Sequence, residues 1–294
     1  MRLSNHNSLE MRRQGAMYSY LFSRAGMSRL MKGDYACFDN AYQLDKQWRG
    51  RVAMETYAKL VCHAYNFLVN HYRDEYVYKN ALIGYLLKKH RSGEVVMFNE
   101  FASGHSIGDI AAFNSKSVVY EIKTELDTPQ RLCRQMTDYG RVFQQRYLVV
   151  HDTQTEAYAR SADAEVGIIR LGQEKGRAVL DVIREATDND DIDPHAVMRC
   201  LRSSEYRRMV ELYYGELPPM DDFSAFRVCE ALIAEIPQEH LTRLFIRLMK
   251  ERENNTALLR FFSMPLRQIC LSMHCGAKEY ELITERLNKR IERE

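Results

Sequence analysis

The sequence predicts an α/β fold: three layers around a mixed central sheet, flanked by N-terminal helices and an all-α C-terminal region. Three observations carry this. Residues 94–124 hold three strand-like runs separated by short turns. Residues 117–140, SVVYEIKTELDTPQRLCRQMTDYG, open with the two-residue alternation of a strand and close with helical spacing. Then RYLVVHD, residues 146–152, is an almost unbroken apolar run of the kind a covered, partly parallel strand shows.

Length and composition allow that architecture. The chain has 294 residues, of which 46% are hydrophobic, enough for a sizeable core. Its net charge of +2 announces no nucleic-acid partner globally, but the charge is unevenly placed. Residues 1–70 carry +5, residues 71–186 are neutral and residues 187–294 carry −3, so the basic head is the better phosphate-facing surface. Seven cysteines at irregular spacing (37, 62, 133, 200, 229, 270 and 275) argue against a disulfide framework. The start, MRLSNHNSLEMRRQG, shows no apolar secretory core, and no apolar run approaches the ~20 residues needed to span a bilayer. A cytoplasmic protein without membrane segments is expected.

In chain order, residues 1–70 form an N-terminal helical segment. Tyr18, Leu21 and Phe22 make one apolar stripe, with Arg12, Arg13, Arg24 and Arg29 around it; Tyr57, Leu60, Val61, Ala64 and Leu68 make another. Between them, Gly33 to Gly50 is mixed in character and is expected to be a loop. Interleaved arginines and tyrosines suit single-stranded nucleic acid, but packed amphipathic helices explain them better. Residues 74–90 predict a helix with Tyr78, Leu82 and Leu86 buried. Glu75 stands at its N-terminal end, where the helix dipole favours a carboxylate.

Strands follow at 94–103, 106–113 and 117–124, a plausible antiparallel meander. Asp127 or Thr128 caps the next helix, with Pro129 in its first turn, and the helix runs to about Phe143. The strand at 146–152 is followed by a short helix, TEAYARSA, and by strands VGIIRLG and RAVLDVIREA. This completes a core over 71–186. The acidic, turn-rich TDNDDIDP, residues 187–194, marks a boundary. The C-terminal region, 187–294, reads as helices at 195–202, 205–214, 223–236, 238–253, 257–273 with a break near Pro265, and 278–292.

The chemistry concentrates on the third strand. Glu121 and Lys123 are two residues apart and leave the same face. Charged groups inside an apolar strand are costly unless compensated, and a divalent cation would compensate the Glu. Asp109 interrupts the apolar pattern of the second strand in the same way. Neighbouring strands lie about 4.8 Å apart, so both carboxylates can converge on one hard cation. Mg²⁺, or Mn²⁺ in its place, suits such oxygen ligands. It stabilises charge on a phosphoryl group and lowers the pKa of an attacking water. Lys123 would orient or deprotonate that water, or offset developing charge. The competing reading is a solvated Glu–Lys pair on an exposed sheet face.

On the helix, Gln135 and Tyr139 are four residues apart and lie one turn above each other. An Asp on the second strand, Glu-x-Lys on the third and Gln-x-x-x-Tyr on the next helix resemble the PD-(D/E)XK nuclease superfamily, in its RecB and Holliday-junction-resolvase-like branch. The resemblance covers roughly residues 74–152 and implies a restriction-endonuclease-like core. It implies Asp109, Glu121 and Lys123 as catalytic residues, and Glu75, Asp109, Glu121 and the main-chain carbonyl of Ile122 as metal ligands. Gln135 and Tyr139 would organise the site or bind substrate. Gly108 stands where the family usually has Pro, and Glu125 and Asp127 either assist the metal or cap the next helix. The layout is also similar to an uncharacterised bacterial branch found near phage-defence genes, for which no substrate is implied.

The expected function is therefore a Mg²⁺-dependent nuclease acting on DNA, with RNA as the alternative substrate, in phage defence or DNA processing. The C-terminal helices are candidates for binding a protein partner, and a homodimer is a separate expectation. Two rivals stand beside this. One is a catalytically weak nucleic-acid- or protein-binding module on the same fold. The other is an interaction protein whose C-terminal helices are the active part. A zinc reading of Cys270, His274 and Cys275 lacks a second pair at metal spacing. His105 sits in a turn, where histidines are usually solvated.

Overall fold

The architecture is that of a six-stranded mixed sheet flanked by helices, seen in a computed structural model that describes residues 2–49, 55–125, 127 and 132–292. Strands β1 (Val96–Ser103), β2 (Ser106–Phe113) and β3 (Ser117–Lys123) form an antiparallel meander. Helix α6 (Leu132–Gly140) then returns the chain so that β4 (Gln145–His151) runs parallel to β3. Helix α7 (Thr155–Ser161), β5 (Gly167–Glu174) and β6 (Arg177–Arg184) follow, and the strand order is the chain order, β1 to β6. β3 is central and every residue of it is buried. Thr128 and Pro129, expected to start α6, lie outside the described residues. The helix ends at Gly140, three residues short of Phe143, because Val142 and Phe143 both turn back onto the Tyr139 carbonyl.

The chain divides into two compact units whose limits differ from the segments 1–70, 71–186 and 187–294. The first joins residues 1–89, the 171–180 ends of β5 and β6, and residues 257–294. Its helices are α1 (Arg2–Leu21), α2 (Arg24–Met31), α3 (Ala36–Arg49), α4 (Tyr57–His71) and α5 (Glu75–Lys89), with α12 (Arg267–Ser272) and α13 (Ala277–Asn288) packed among them. Asn80 welds the two ends of the chain. Its amide donates to the Met264 carbonyl at 2.8 Å and its oxygen accepts from Gln268 N at 2.9 Å. Tyr76 adds a bond to the Pro265 carbonyl at 2.6 Å. The break near Pro265 is real: two short 3₁₀ turns, Leu258–Arg260 and Met264–Leu266, precede α12.

The expected loop between Gly33 and Gly50 is instead largely α3. Phe38, Ala41, Tyr42 and Asp45 are buried at helical spacing, and Asp34 accepts a bond from Ala36 N at the start. The buried carboxylate, bonded to His63 at 3.1 Å, interrupts the apolar stripe that would have revealed the helix.

The second unit, 90–170 with 181–256, holds the sheet core. One sheet face, including Phe98, Phe113, Val119, Leu148 and Val150, packs with Met136, Tyr139 and Phe143 and with helices α8 (Pro194–Cys200), α9 (Ser203–Tyr214), α10 (Ala225–Ala234) and α11 (Gln238–Glu251). Phe113 is the hub, with ring centroids 5.4 Å from Phe245, 5.7 Å from Phe101 and 6.0 Å from Phe143. Residues of the opposite face, such as Ile110, Tyr120, Ile122 and Val149, are buried too. Among the described residues no helix is long and apolar enough to cross a membrane.

Two stability predictions follow from this packing. Phe113→Ala empties the centre of the aromatic cluster and should cost about 3–5 kcal/mol, read as a lower urea midpoint. At Gly108 a Cβ would stand 2.4 Å from Val119 Cγ2. Gly108→Ala should therefore cost about 1–3 kcal/mol by forcing β2 and β3 apart, and an unchanged midpoint would refute that packing.

Candidate active site

Glu121 is 4% exposed and Lys123 8%, so the reading of a solvated surface pair is excluded. A carboxylate removed from water needs donors, and Glu121 has three. Lys123 Nζ lies 2.7 Å from Oε1, Gln135 Nε2 lies 2.6 Å from the same oxygen, and the Tyr139 hydroxyl lies 2.7 Å from Oε2. Lys123 Nζ also donates to Gln135 Oε1 at 2.9 Å, closing a ring of Glu, Lys and Gln. The strand sets the first pair by its two-residue repeat. The helix sets Gln135 and Tyr139 by its four-residue repeat, and both repeats aim at one carboxylate.

Tyr139 is fully buried. Burial first, then the charge and hydrogen bond of Glu121, then the charge of Asp109 push its hydroxyl far up, so it remains a proton donor. The Ile107 carbonyl is a second acceptor at 2.8 Å, so one proton is shared between β2 and the Glu121 carboxylate.

Asp109 reaches the same place from β2. Backbone pairing of β2 with β3 runs only from Phe113↔Ser117 to Ile110↔Tyr120. At the next position the side chain takes over: Asp109 Oδ2 accepts the Ile122 N–H at 2.7 Å. The close approach of Val119 described above requires a residue without a Cβ at Gly108. Immediately before Tyr139, Asp138 fastens α6 to the β1–β2 turn by accepting from Ser106 Oγ at 2.6 Å. Nothing in the spacing of the sequence singles out that contact.

The structure thus brings Asp109, Glu121, Lys123, Gln135 and Tyr139 together, with the peptide of Ile122 beside Asp109. Glu75 is exposed at the start of α5, in the other compact unit, and its carboxylate is ion-paired with Lys79 at 2.5 Å. Asp127 bonds to the backbone and hydroxyl of Thr124, both at 2.7 Å, so its carboxylate closes the turn after β3. His105 is exposed in its turn. Among the described residues no three or more His, Cys, Asp or Glu side chains are gathered as a metal-binding group, Cys270, His274 and Cys275 included.

The donor chemistry still suits a hard cation. A carboxylate offers about four lone-pair sites, and the three groups on Glu121 leave one in reserve. Asp109 adds a second carboxylate beside the Ile122 peptide. The arrangement is able to hold an oxygen-liganded ion next to a fixed ammonium, which is the equipment for stabilising negative charge on a phosphoryl group.

No curated protein and no solved structure matches the chain. The profile of one protein family, described as Bacteriophage P4 protein cII, matches residues 69–269, which includes every strand and all of the residues just gathered. The match covers more than half of the sequence, and the chain belongs to the bacteriophage P4 protein cII family.

Proposed function

We propose that this protein is a metal-dependent nuclease of the PD-(D/E)XK type that hydrolyses phosphodiester bonds in DNA. The observation that carries the reading is the convergence of Lys123, Gln135 and Tyr139 on the buried Glu121, with Asp109 delivered beside Ile122 where β2 and β3 part. Asp109, Glu121 and the Ile122 carbonyl would hold Mg²⁺ or Mn²⁺. When bound, the ion supplies Lewis-acid stabilisation of the phosphoryl oxygens.

The other steps belong to the chain itself. Among the described residues Lys123 Nζ donates to Glu121 Oε1 and to Gln135 Oε1, which holds it beside the carboxylate. There it would orient the attacking water and offset charge that builds on phosphorus. The water's oxygen forms the new bond to phosphorus, the bond to the leaving sugar oxygen breaks, the water's proton passes to solvent, and the departing sugar oxygen takes up a proton from solvent. Gln135 and Tyr139 are positioning residues that keep the Glu121 carboxylate fixed during the reaction. The family's name carries no activity, so phosphodiester hydrolysis rests on the site chemistry, and DNA as the substrate and a role in phage defence or DNA processing are part of the proposal.

Cleavage assays with plasmid, linear and single-stranded DNA, and with RNA alongside, test this in Mg²⁺ or Mn²⁺. Metal-dependent cutting should fall by at least about 10²-fold in Asp109→Ala and in Lys123→Ala, with folding unchanged by circular dichroism. Cutting retained in both variants would sink the reading. Binding of DNA without cutting, and without metal uptake by calorimetry, would move the protein to the binding-module class. Separately, Tyr139→Phe strips the hydroxyl from Glu121 and Ile107 and should lower unfolding free energy by about 1–3 kcal/mol in a urea titration.

A further inference from the structure

The C-terminal half of α5 gathers positive charge without counter-charge. Lys88 and Lys89 are exposed in its last turn. Arg267 lies over the same helix, with Nη1 4.0 Å from where a Cβ on Gly84 would stand. Gly84 and Lys88 are four residues apart and share a face. All of these residues belong to the first compact unit. Among the described residues, Lys88, Lys89 and Arg267 have no carboxylate partner. Other partly buried arginines of the chain meet one: Arg146 pairs with Glu165 at 2.8 Å and Arg252 with Glu205 at 2.5 Å. Arg267 instead donates to the Phe262 carbonyl at 3.3 Å. Burial pushes its guanidinium down from the usual arginine range, and the nearby charge of Arg260 adds to that. Arg260 Nη1 donates to the Leu87 carbonyl at 2.5 Å, one of the last carbonyls of α5.

The same surface carries rings. Phe262 is buried and stacks on Tyr280, with centroids 3.9 Å apart. Phe261 stands in the chain between Arg260 and the Phe262 carbonyl that takes Arg267, and it is 79% exposed. Tyr85, half-buried on α5, has Lys89 Nζ 5.7 Å from its ring centre. Each feature alone is ordinary: cations suit a helix C-terminus, and a single exposed Phe is common. Together they place four cations around one exposed ring. Four residues of helix rise about 6 Å, so the charge is spread over more length than one small anion fills. A chain of phosphates matches that spread. The exposed ring selects further, because only an unpaired strand can offer the face of a base to it.

We propose that this surface binds single-stranded nucleic acid, with Lys88, Lys89, Arg260 and Arg267 along the phosphates and a base stacked on Phe261. The inference does not rest on the nuclease reading.

The test is fluorescence anisotropy of a labelled oligothymidylate of about 20 nucleotides, titrated with the full-length chain in EDTA so that no metal-dependent cutting intervenes. Four phosphate contacts predict a slope of about −3 for log K against log salt, and Lys88→Glu should reduce its magnitude by about 0.7 or more. Phe261→Ala should weaken the single strand about 5- to 150-fold and leave a duplex of the same length within about twofold. Lys88 and Phe261 are exposed, so both variants should keep their fold by circular dichroism. Inorganic phosphate at matched ionic strength and poly-glutamate should each displace the strand less well than unlabelled oligothymidylate. No binding by the wild type, unchanged affinity in either variant, or displacement by phosphate or poly-glutamate as effective as by the unlabelled strand overturns the proposal. Absence of cleavage bears on the nuclease reading and not on this one.

Discussion

The structure depends on keeping one carboxylate, Glu121, charged inside a strand that is buried from end to end. An unpaired ion there would be expelled or neutralised, so the surroundings are committed to it. Three donors reach it: one from its own strand and two from α6. Since Gln135 and Tyr139 must both face β3, the rotation of α6 about its own axis is set, and Met136 and Leu132 take their places in the core beside them. The β3–α6–β4 crossover is thus oriented by polar demands as well as by apolar burial.

The same demand shapes the junction of β2 and β3. Their ladder stops at Ile110↔Tyr120, and the backbone groups beyond it are taken up by side chains. Asp109 accepts the Ile122 N–H and Tyr139 donates to the Ile107 carbonyl. Gly108 lets Val119 approach where any side chain would collide. A gap between two strands, lined by carboxylates and closed by a tyrosine, is therefore built without leaving these backbone groups unsatisfied.

Legibility in the sequence tracks the range of the interaction. The Glu-x-Lys and Gln-x-x-x-Tyr pairs are short-range patterns whose periods, two and four, directly specify a shared face, and they were readable. The meander was readable because its turns are short. By contrast, α3 was hidden by Asp45, a buried carboxylate whose partner His63 is distant in sequence. The packing of residues 257–294 with α4 and α5 rests on contacts such as Asn80 with Met264 and Gln268, which no periodicity reports. Glu75 was legible as a helix-start carboxylate, but Lys79 one turn later, with its side chain 4% exposed, is the partner the structure shows.

Charge counting links the geometry to the proposed chemistry. Asp109 and Glu121 contribute two negative charges and Lys123 one positive, so the cluster alone carries about −1. A phosphodiester brings a further negative charge, and at effective dielectric constants near 20 each like-charge contact at 4 Å costs about 4 kcal/mol. Lys123 is already engaged by Glu121 and Gln135, so it does not cancel that repulsion by itself. One divalent cation reverses the sign of the cluster to about +1 and turns repulsion of the substrate into attraction. On this argument the buried carboxylates would hinder a nucleic-acid site that worked without a metal, and in the proposed chemistry they would become useful only when an ion and a phosphate met between them.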